Sequence, residues 1–207
     1  MTATPRRRAR HARTPAVFVD RDGTLNREVD YLRRVADLRL LPGTAAALRS
    51  LTAAGFAVVV VTNQSGIARG LIDPTTLVAI HRTLQRRLAR AGGELAGIYV
   101  CPHHPEAGVP PLQRRCRCRK PAAGLVHRAV RELDLDLTRS YCVGDGAVDI
   151  GLAAATGTPA VLVLTGHGRR TRAALGPGAP VAHVAANFRA AAEWIIDNAR
   201  RKPRRRR

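Results

Sequence analysis

Val17-Phe18-Val19-Asp20-Arg21-Asp22-Gly23-Thr24-Leu25-Asn26 is the stretch whose reading decides the fold. An apolar run ends abruptly in two carboxylates, Asp20 and Asp22, and Gly23-Thr24 follows at once, so a buried strand delivers charge into a turn. The same form recurs further along. Phe56 to Val61 is a β-branched run of the kind found in central parallel strands covered on both faces, and it leads into Thr62-Asn63-Gln64-Ser65-Gly66. Ser140 to Val143 leads into Gly144-Asp145. Shorter strands are expected at Ile98 to Val100, Ala160 to Leu164 and Val181 to Val184.

Helical patterns fill the intervals. Pro42-Gly43 opens one with Ala46, Leu48 and Leu51; Asp73-Pro74 supplies an N-cap and first-turn proline to another with Leu77, Ile80, Leu84 and Leu88. Others hold Leu125, Val126, Ala129, Val130 and Leu133, then Ile150 to Ala155, then Phe188, Trp194, Ile195 and Ile196. Strands alternating with helices predict an α/β fold: a doubly wound parallel sheet with helices on both faces and right-handed crossovers. In such sheets ligands gather beyond the carboxyl ends of the strands. Asp20 and Asp22, Thr62 and Asn63, and Asp145 all stand at such ends.

At 207 residues, with 45% hydrophobic but only 3% aromatic side chains, the chain suits one domain packed on Ala, Val and Leu. Its formal charge of +20 sits largely at the ends: residues 1–14 carry five Arg and 200–207 seven Lys or Arg, without an acidic residue. These stretches read as disordered basic tails around a domain at 15–199, because like charges repel and nothing there can be buried. The body retains 23 basic against 15 acidic residues. The N-terminal arginines are not followed by an apolar segment of signal-peptide length, and no run is long enough to cross a membrane. Four cysteines, three of them clustered, point to a metal site in a reducing cytoplasm rather than to disulfides.

Three carboxylates at neighbouring strand ends repel unless a cation neutralises them, and Mg²⁺ prefers such oxygen donors. Thr62 adds a hydroxyl and Lys120 a compact positive charge, which together make the parts for phosphoryl transfer. Cys101-x-His103 and Cys116-x-Cys118 supply three thiolates and an imidazole, the closed donor set of structural Zn²⁺, with His104 as a rival imidazole. Cys142, inside an apolar strand, reads as a small core residue.

The order of these pieces resembles the haloacid dehalogenase superfamily of phosphohydrolases. Asp20-Arg21-Asp22-Gly23-Thr24 is similar to its first motif, Thr62 to its second, Lys120-Pro121 to its third, and Gly144-Asp145 with Asp149 to its fourth. The resemblance implies that Asp20 is the nucleophile and Asp22 the general acid and base. It implies that Asp20, the Asp22 carbonyl and Asp145 hold Mg²⁺, that Thr62 and Lys120 stabilise the phosphoryl group, and that Asp149 supports them. The intervals leave no room for an inserted cap domain, so a zinc-stapled loop carrying Arg119 and Lys120 is expected to select substrate.

Thr62-Asn63-Gln64-Ser65-Gly66-Ile67-Ala68-Arg69-Gly70, Cys101-Pro102-His103-His104-Pro105 and Cys116-Arg117-Cys118-Arg119-Lys120-Pro121 narrow the resemblance to the D-glycero-D-manno-heptose 1,7-bisphosphate phosphatases. That family's spacing favours His103 over His104 as the ligand. It implies removal of the C7 phosphate, with Asn63, Gln64, Ser65 and Arg119 at the substrate, in a cytoplasmic monomer. Gly146 stands where these enzymes commonly have lysine, and Glu28-Val29-Asp30-Tyr31 matches their early substrate loop loosely. Histidinol-phosphate phosphatases are the neighbouring alternative. From another class comes a zinc-stabilised nucleic-acid-binding protein using the tails with Arg114, Arg115 and Arg117, or a nucleic-acid end phosphatase; the low aromatic content offers few bases a stacking surface.

Overall fold

A computed structural model describes residues 13–201. Six parallel strands form one sheet: β1 (Thr14–Val19), β2 (Ala57–Asn63), β3 (Gly97–Cys101), β4 (Leu135–Gly144), β5 (Ala160–Val163) and β6 (His183–Ala185), in the order β3-β2-β1-β4-β5-β6. The chain winds outward from β1 to β3, then crosses back to β4 on the other side of β1. The winding reverses between β1 and β4, and at such a reversal the loops leaving neighbouring strands diverge and open a crevice.

The alternation of side chains along each strand builds two cores. Val17, Val19, Val58, Val60, Val143, Val161 and Val163 face one way. There they meet α1 (Thr44–Ala53), α2 (Pro74–Arg90) and the closing helix, through Leu48, Leu51, Ile80, Leu84, Leu88, Phe188 and Ile195. Ala16, Phe18, Val59, Val61 and Cys142 face α3 (Gly124–Glu132) and α4 (Ala147–Thr156) through Leu125, Val126, Ala129, Leu152 and Ala153. Each strand is thus covered on both sides, which is why its sequence reads as a continuous apolar run rather than an alternating one.

Three differences from the sequence reading have physical causes. β4 begins at Leu135, not Ser140, because polar Asp136, Thr138 and Arg139 interrupt the apolar pattern where the pairing with β1 shifts register. The Ser140 hydroxyl repairs that irregularity, accepting from the Ala16 N–H at 2.8 Å and donating to the Asp136 carbonyl at 2.6 Å. A short helix, α5 (Gly168–Ala174), has no apolar stripe to announce it. The closing helix α6 (Phe188–Arg201) continues into the expected basic tail, since Arg200 and Arg201 in its last turn sit favourably at the negative end of the helix dipole. Thr14 likewise belongs to β1 and Arg13 pairs with Asp134 at 2.9 Å, while the rest of the expected tails lies outside the described residues. Among those described, no helix is long and apolar enough to cross a membrane.

Candidate active site

The strand registers place the expected site residues side by side. Val19 pairs with Val60 on one side and Val143 on the other, and the Asp20 N–H continues the ladder to the Val143 carbonyl at 2.9 Å. Asn63 at the end of β2 pairs with Cys101 at the end of β3, so the cysteine loop starts beside the second motif. Four successive chain ends therefore open on one crevice.

Lys120 is the centre of the charge cluster. Its side chain is 2% exposed, and its ammonium lies 2.9 Å from Asp20 Oδ1 and 2.7 Å from Asp149 Oδ1. Burial alone would push a lysine down, but the charges of Asp149 and Asp20 outweigh it and raise Lys120 above its ordinary value. The backbone of this residue is clamped by Asn63: its Oδ1 accepts from the Lys120 N–H at 3.0 Å and its Nδ2 donates to the Lys120 carbonyl at 3.2 Å. Asp149 also accepts from the Gly146 N–H at 3.0 Å through Oδ2. It thus orients Lys120 and caps α4 at once, and Gly146 meets it through the backbone.

Asp20, Asp145 and Asp149 bring carboxylate oxygens within 4.8 Å of one another. Asp145 Oδ2 accepts from the His167 N–H at 2.7 Å, and the Thr171 hydroxyl donates to the Asp145 carbonyl at 2.7 Å, so α5 braces this residue. Gly23 and Gly166 close over it; a Cβ on either would fall 2.1 Å from Asp145 Oδ2, so neither position tolerates a side chain. Burial pushes Asp145 up to about 7. Burial also raises Asp20, to about 6, against the opposing charge of Lys120. Such a crowd of hard oxygen donors, starved of water, suits Mg²⁺.

Asp22 is in a different environment. Its side chain turns away from the cluster and is gripped by Arg21, whose Nε donates to Oδ1 at 3.0 Å and Nη2 to Oδ2 at 2.5 Å. Asn26 Nδ2 donates to Oδ1 and Gln64 Nε2 to Oδ2, each at 2.9 Å. Burial pushes Asp22 upward, but the Arg21 charge and these hydrogen bonds prevail and hold it below the usual carboxylate range. Gln64 Nε2 also donates to Thr62 Oγ1 at 2.9 Å, and its Oε1 accepts from Arg21 at 3.1 Å. The carboxamides of Asn63 and Gln64, expected at the substrate, thus have partners within the protein. Ser65 is buried beside them.

Arg21, Asn26 and His81 enter this network without having been assigned roles from the sequence. A signal for His81 exists: it occupies the position between Leu77 and Leu84, four and three residues away, on the apolar stripe of α2. Nothing in the sequence separates the wholly buried Arg21 from the chain's many exposed arginines.

The cysteine cluster is assembled. Cys118 Sγ lies 3.3 Å from both Cys101 Sγ and Cys116 Sγ, Cys101 and Cys116 are 3.6 Å apart, and His103 Nδ1 lies 3.3 Å from Cys118 and 3.7 Å from Cys101. A tetrahedron with zinc–sulfur bonds of about 2.3 Å has edges of about 3.8 Å, so four donors at these separations fit one ion. His104 points elsewhere, its Nδ1 accepting from the Glu106 and Ala107 N–H groups at 3.1 and 2.9 Å. Arg119 donates to the His103 carbonyl at 3.1 Å, which ties it to the loop.

Comparison with known proteins places this arrangement in context. A family described as HAD-hydrolase-like matches residues 117–191. A D-glycero-beta-D-manno-heptose-1,7-bisphosphate 7-phosphatase of Yersinia pestis is 39% identical over 186 residues, covering 89% of this chain and 90% of the relative. The enzyme of that name from Photorhabdus laumondii is 43% identical, covering 77% and 85%. The crystal structure of a D,D-heptose 1,7-bisphosphate phosphatase from B. bronchiseptica, complexed with magnesium and phosphate, superposes with a TM-score of 0.79 at 38% identity, covering 89% of this chain and 99% of that one.

The raised carboxylates make a testable link between pH and metal. Asp20 and Asp145 titrate in the fold above the ordinary 3.8, so in metal-free protein their contribution to stability is complete below that value and is lost as pH rises through about 6 to 7. A bound cation relieves the repulsion only once the protons have left. Mg²⁺ is therefore expected to raise the melting temperature more at about pH 8 than at about pH 5. Equal increments in thermal melts at the two pH values would refute the assignment.

Proposed function

Since the chain belongs to the D-glycero-D-manno-heptose-1,7-bisphosphate 7-phosphatase family of HAD-like hydrolases, we propose that its crevice removes the C7 phosphate of that sugar bisphosphate to leave heptose 1-phosphate. It is a phosphoric monoester hydrolase. The observation that carries the residue assignments is the ammonium of Lys120, buried 2.9 Å from Asp20 Oδ1 beside two further carboxylates at the sheet's reversal point.

In this reading Asp22 takes up a proton once the negative phosphoryl group is bound beside it; Asp20 then attacks phosphorus as the bond to the C7 oxygen breaks, and that oxygen takes the Asp22 proton. An aspartyl-phosphate remains on Asp20. Water then attacks the phosphorus and gives its proton to Asp22, inorganic phosphate departs, Asp20 is freed as a carboxylate and Asp22 holds a proton again. Thr62 Oγ1 donates to a transferring phosphoryl oxygen and Lys120 balances its charge. Asn63 supports Lys120, Gln64 supports Thr62 and Asp22, and Ser65 lies against the substrate.

Mg²⁺ would be held by Asp20, the Asp22 carbonyl and Asp145, where it would offset the carboxylate and phosphoryl charges. Zn²⁺ would be held by Cys101, His103, Cys116 and Cys118, fixing the loop that carries Arg119. The guanidinium there suits the phosphate left on C1, since it matches such a group with paired donors. The reading extends to a monomer in the cytoplasm, where thiols stay reduced.

Phosphate release in Mg²⁺ from heptose 1,7-bisphosphate, histidinol phosphate and 3′-phosphorylated DNA tests the substrate. The heptose is expected to be preferred, and Asp20→Asn to lower its turnover by at least about 10³-fold; preference for either other substrate would overturn the assignment. Arg119→Ala is expected to reduce kcat/KM about 10²-fold for the bisphosphate and far less for a heptose 7-monophosphate. Equal losses would remove Arg119 from recognition of the second phosphate. Metal analysis of the reduced protein should find zinc equimolar with the chain and lost after Cys116→Ser; zinc-free wild type would sink the staple.

A further inference from the structure

We propose that His81, on α2 and outside every motif, is a positioning residue that aims Asp22 for its proton transfers through the buried guanidinium of Arg21. The proposal rests on the reading of Asp22 as general acid and base.

The geometry is a chain of fixed partners. Arg21 is wholly buried, and all three of its nitrogens are engaged. Nε and Nη2 grip the two oxygens of Asp22 at 3.0 and 2.5 Å, Nη2 also reaches Gln64 Oε1 at 3.1 Å, and Nη1 lies 2.9 Å from His81 Nε2. A guanidinium has no lone pair to offer and keeps its charge. His81 Nε2 must therefore accept, with the ring neutral and its proton on Nδ1. Burial pushes His81 down to about 4, with Arg21 contributing, so the ring presents that lone pair throughout the neutral range.

Two features point to a task beyond packing. His81 lies half-buried on the stripe that Leu77, Leu84 and Leu88 bury, where an apolar residue would complete the helix face without partly desolvating a polar ring. Among the described residues, its contact is also the side-chain anchor of Nη1, on the side of Arg21 remote from Asp22 and Gln64. Without it Nη1 loses its acceptor in a buried place, and the guanidinium gains freedom to rotate about its grip on Asp22. Gln64 couples the same frame to Thr62, so a tilt would misalign the proton donor relative to the phosphoryl group.

The side chains of Gln and Met are close in size, and only Gln offers an oxygen acceptor, so His81→Gln and His81→Met isolate the hydrogen bond. The measurement is kcat/KM, which reports the steps through aspartyl-phosphate formation, on two substrates. D-glycero-β-D-manno-heptose 1,7-bisphosphate has an alkoxide leaving group that needs a proton; p-nitrophenyl phosphate releases a phenolate that does not. His81→Met is expected to lose roughly 10- to 100-fold on the heptose and less than about threefold on p-nitrophenyl phosphate, with His81→Gln within about threefold of wild type on both. Met and Gln variants equal on the heptose, or losses equal on the two substrates, overturn the proposal while leaving the phosphatase reading intact. Wild-type protein inactive on both substrates overturns the phosphatase reading itself.

Discussion

Charge compensation around one crevice is the constraint on which the rest of the structure depends. Four carboxylates lie at the mouths of adjacent strands, and two buried cations divide them: Lys120 takes Asp20 and Asp149, while Arg21 takes Asp22. Asp145 is met by the backbone N–H of His167 instead of a cationic side chain. An excess of negative charge therefore remains where water is scarce. It makes a cation site energetically natural, and a phosphoryl group brings further negative charge that only the same cations can balance.

A single residue, Arg21, separates Asp20 from Asp22, yet their surroundings drive them apart. Burial raises the first to about 6, and a bidentate arginine with two carboxamides holds the second below the ordinary range. Environment rather than their own chemistry separates the two carboxylates, and a cation beside Asp20 would bring the first down while phosphoryl charge beside Asp22 would bring the second up. The backbone arrangement produces the difference: β1 ends at Val19, the turn through Gly23 faces Asp145, and the Asp22 side chain is left facing α2 and Gln64.

Much of this was legible in the chain. Parallel strands covered on both faces must be apolar throughout, so β1 and β2 declared themselves, and the polar clusters following them marked the crevice. The Cys and His cluster was also readable, because the spacing of such donors in a short loop is a local property. Less legible were α5, whose residues bury almost nothing of their own, and the first half of β4, where a register shift lets polar residues into a strand. The carboxamides of Asn63 and Gln64 could be placed at a strand end from sequence, but not paired with Lys120 and Asp22.

By itself, then, the sequence determined the α/β class, the strand-end carboxylates, the Cys and His donor set and the chemistry that these residue types permit. Each follows from periodicity, residue type or spacing over a few positions. Only the tertiary structure decided that Lys120 lies between Asp20 and Asp149, that Arg21 is buried against Asp22, and that His81 stands behind it from a helix sixty residues away. The physical reason is that a partner's identity in a buried network depends on what the sheet order and helix packing bring together across the chain. Nothing in the local pattern of residues distinguishes an arginine that will be desolvated and paired from one that will remain in water.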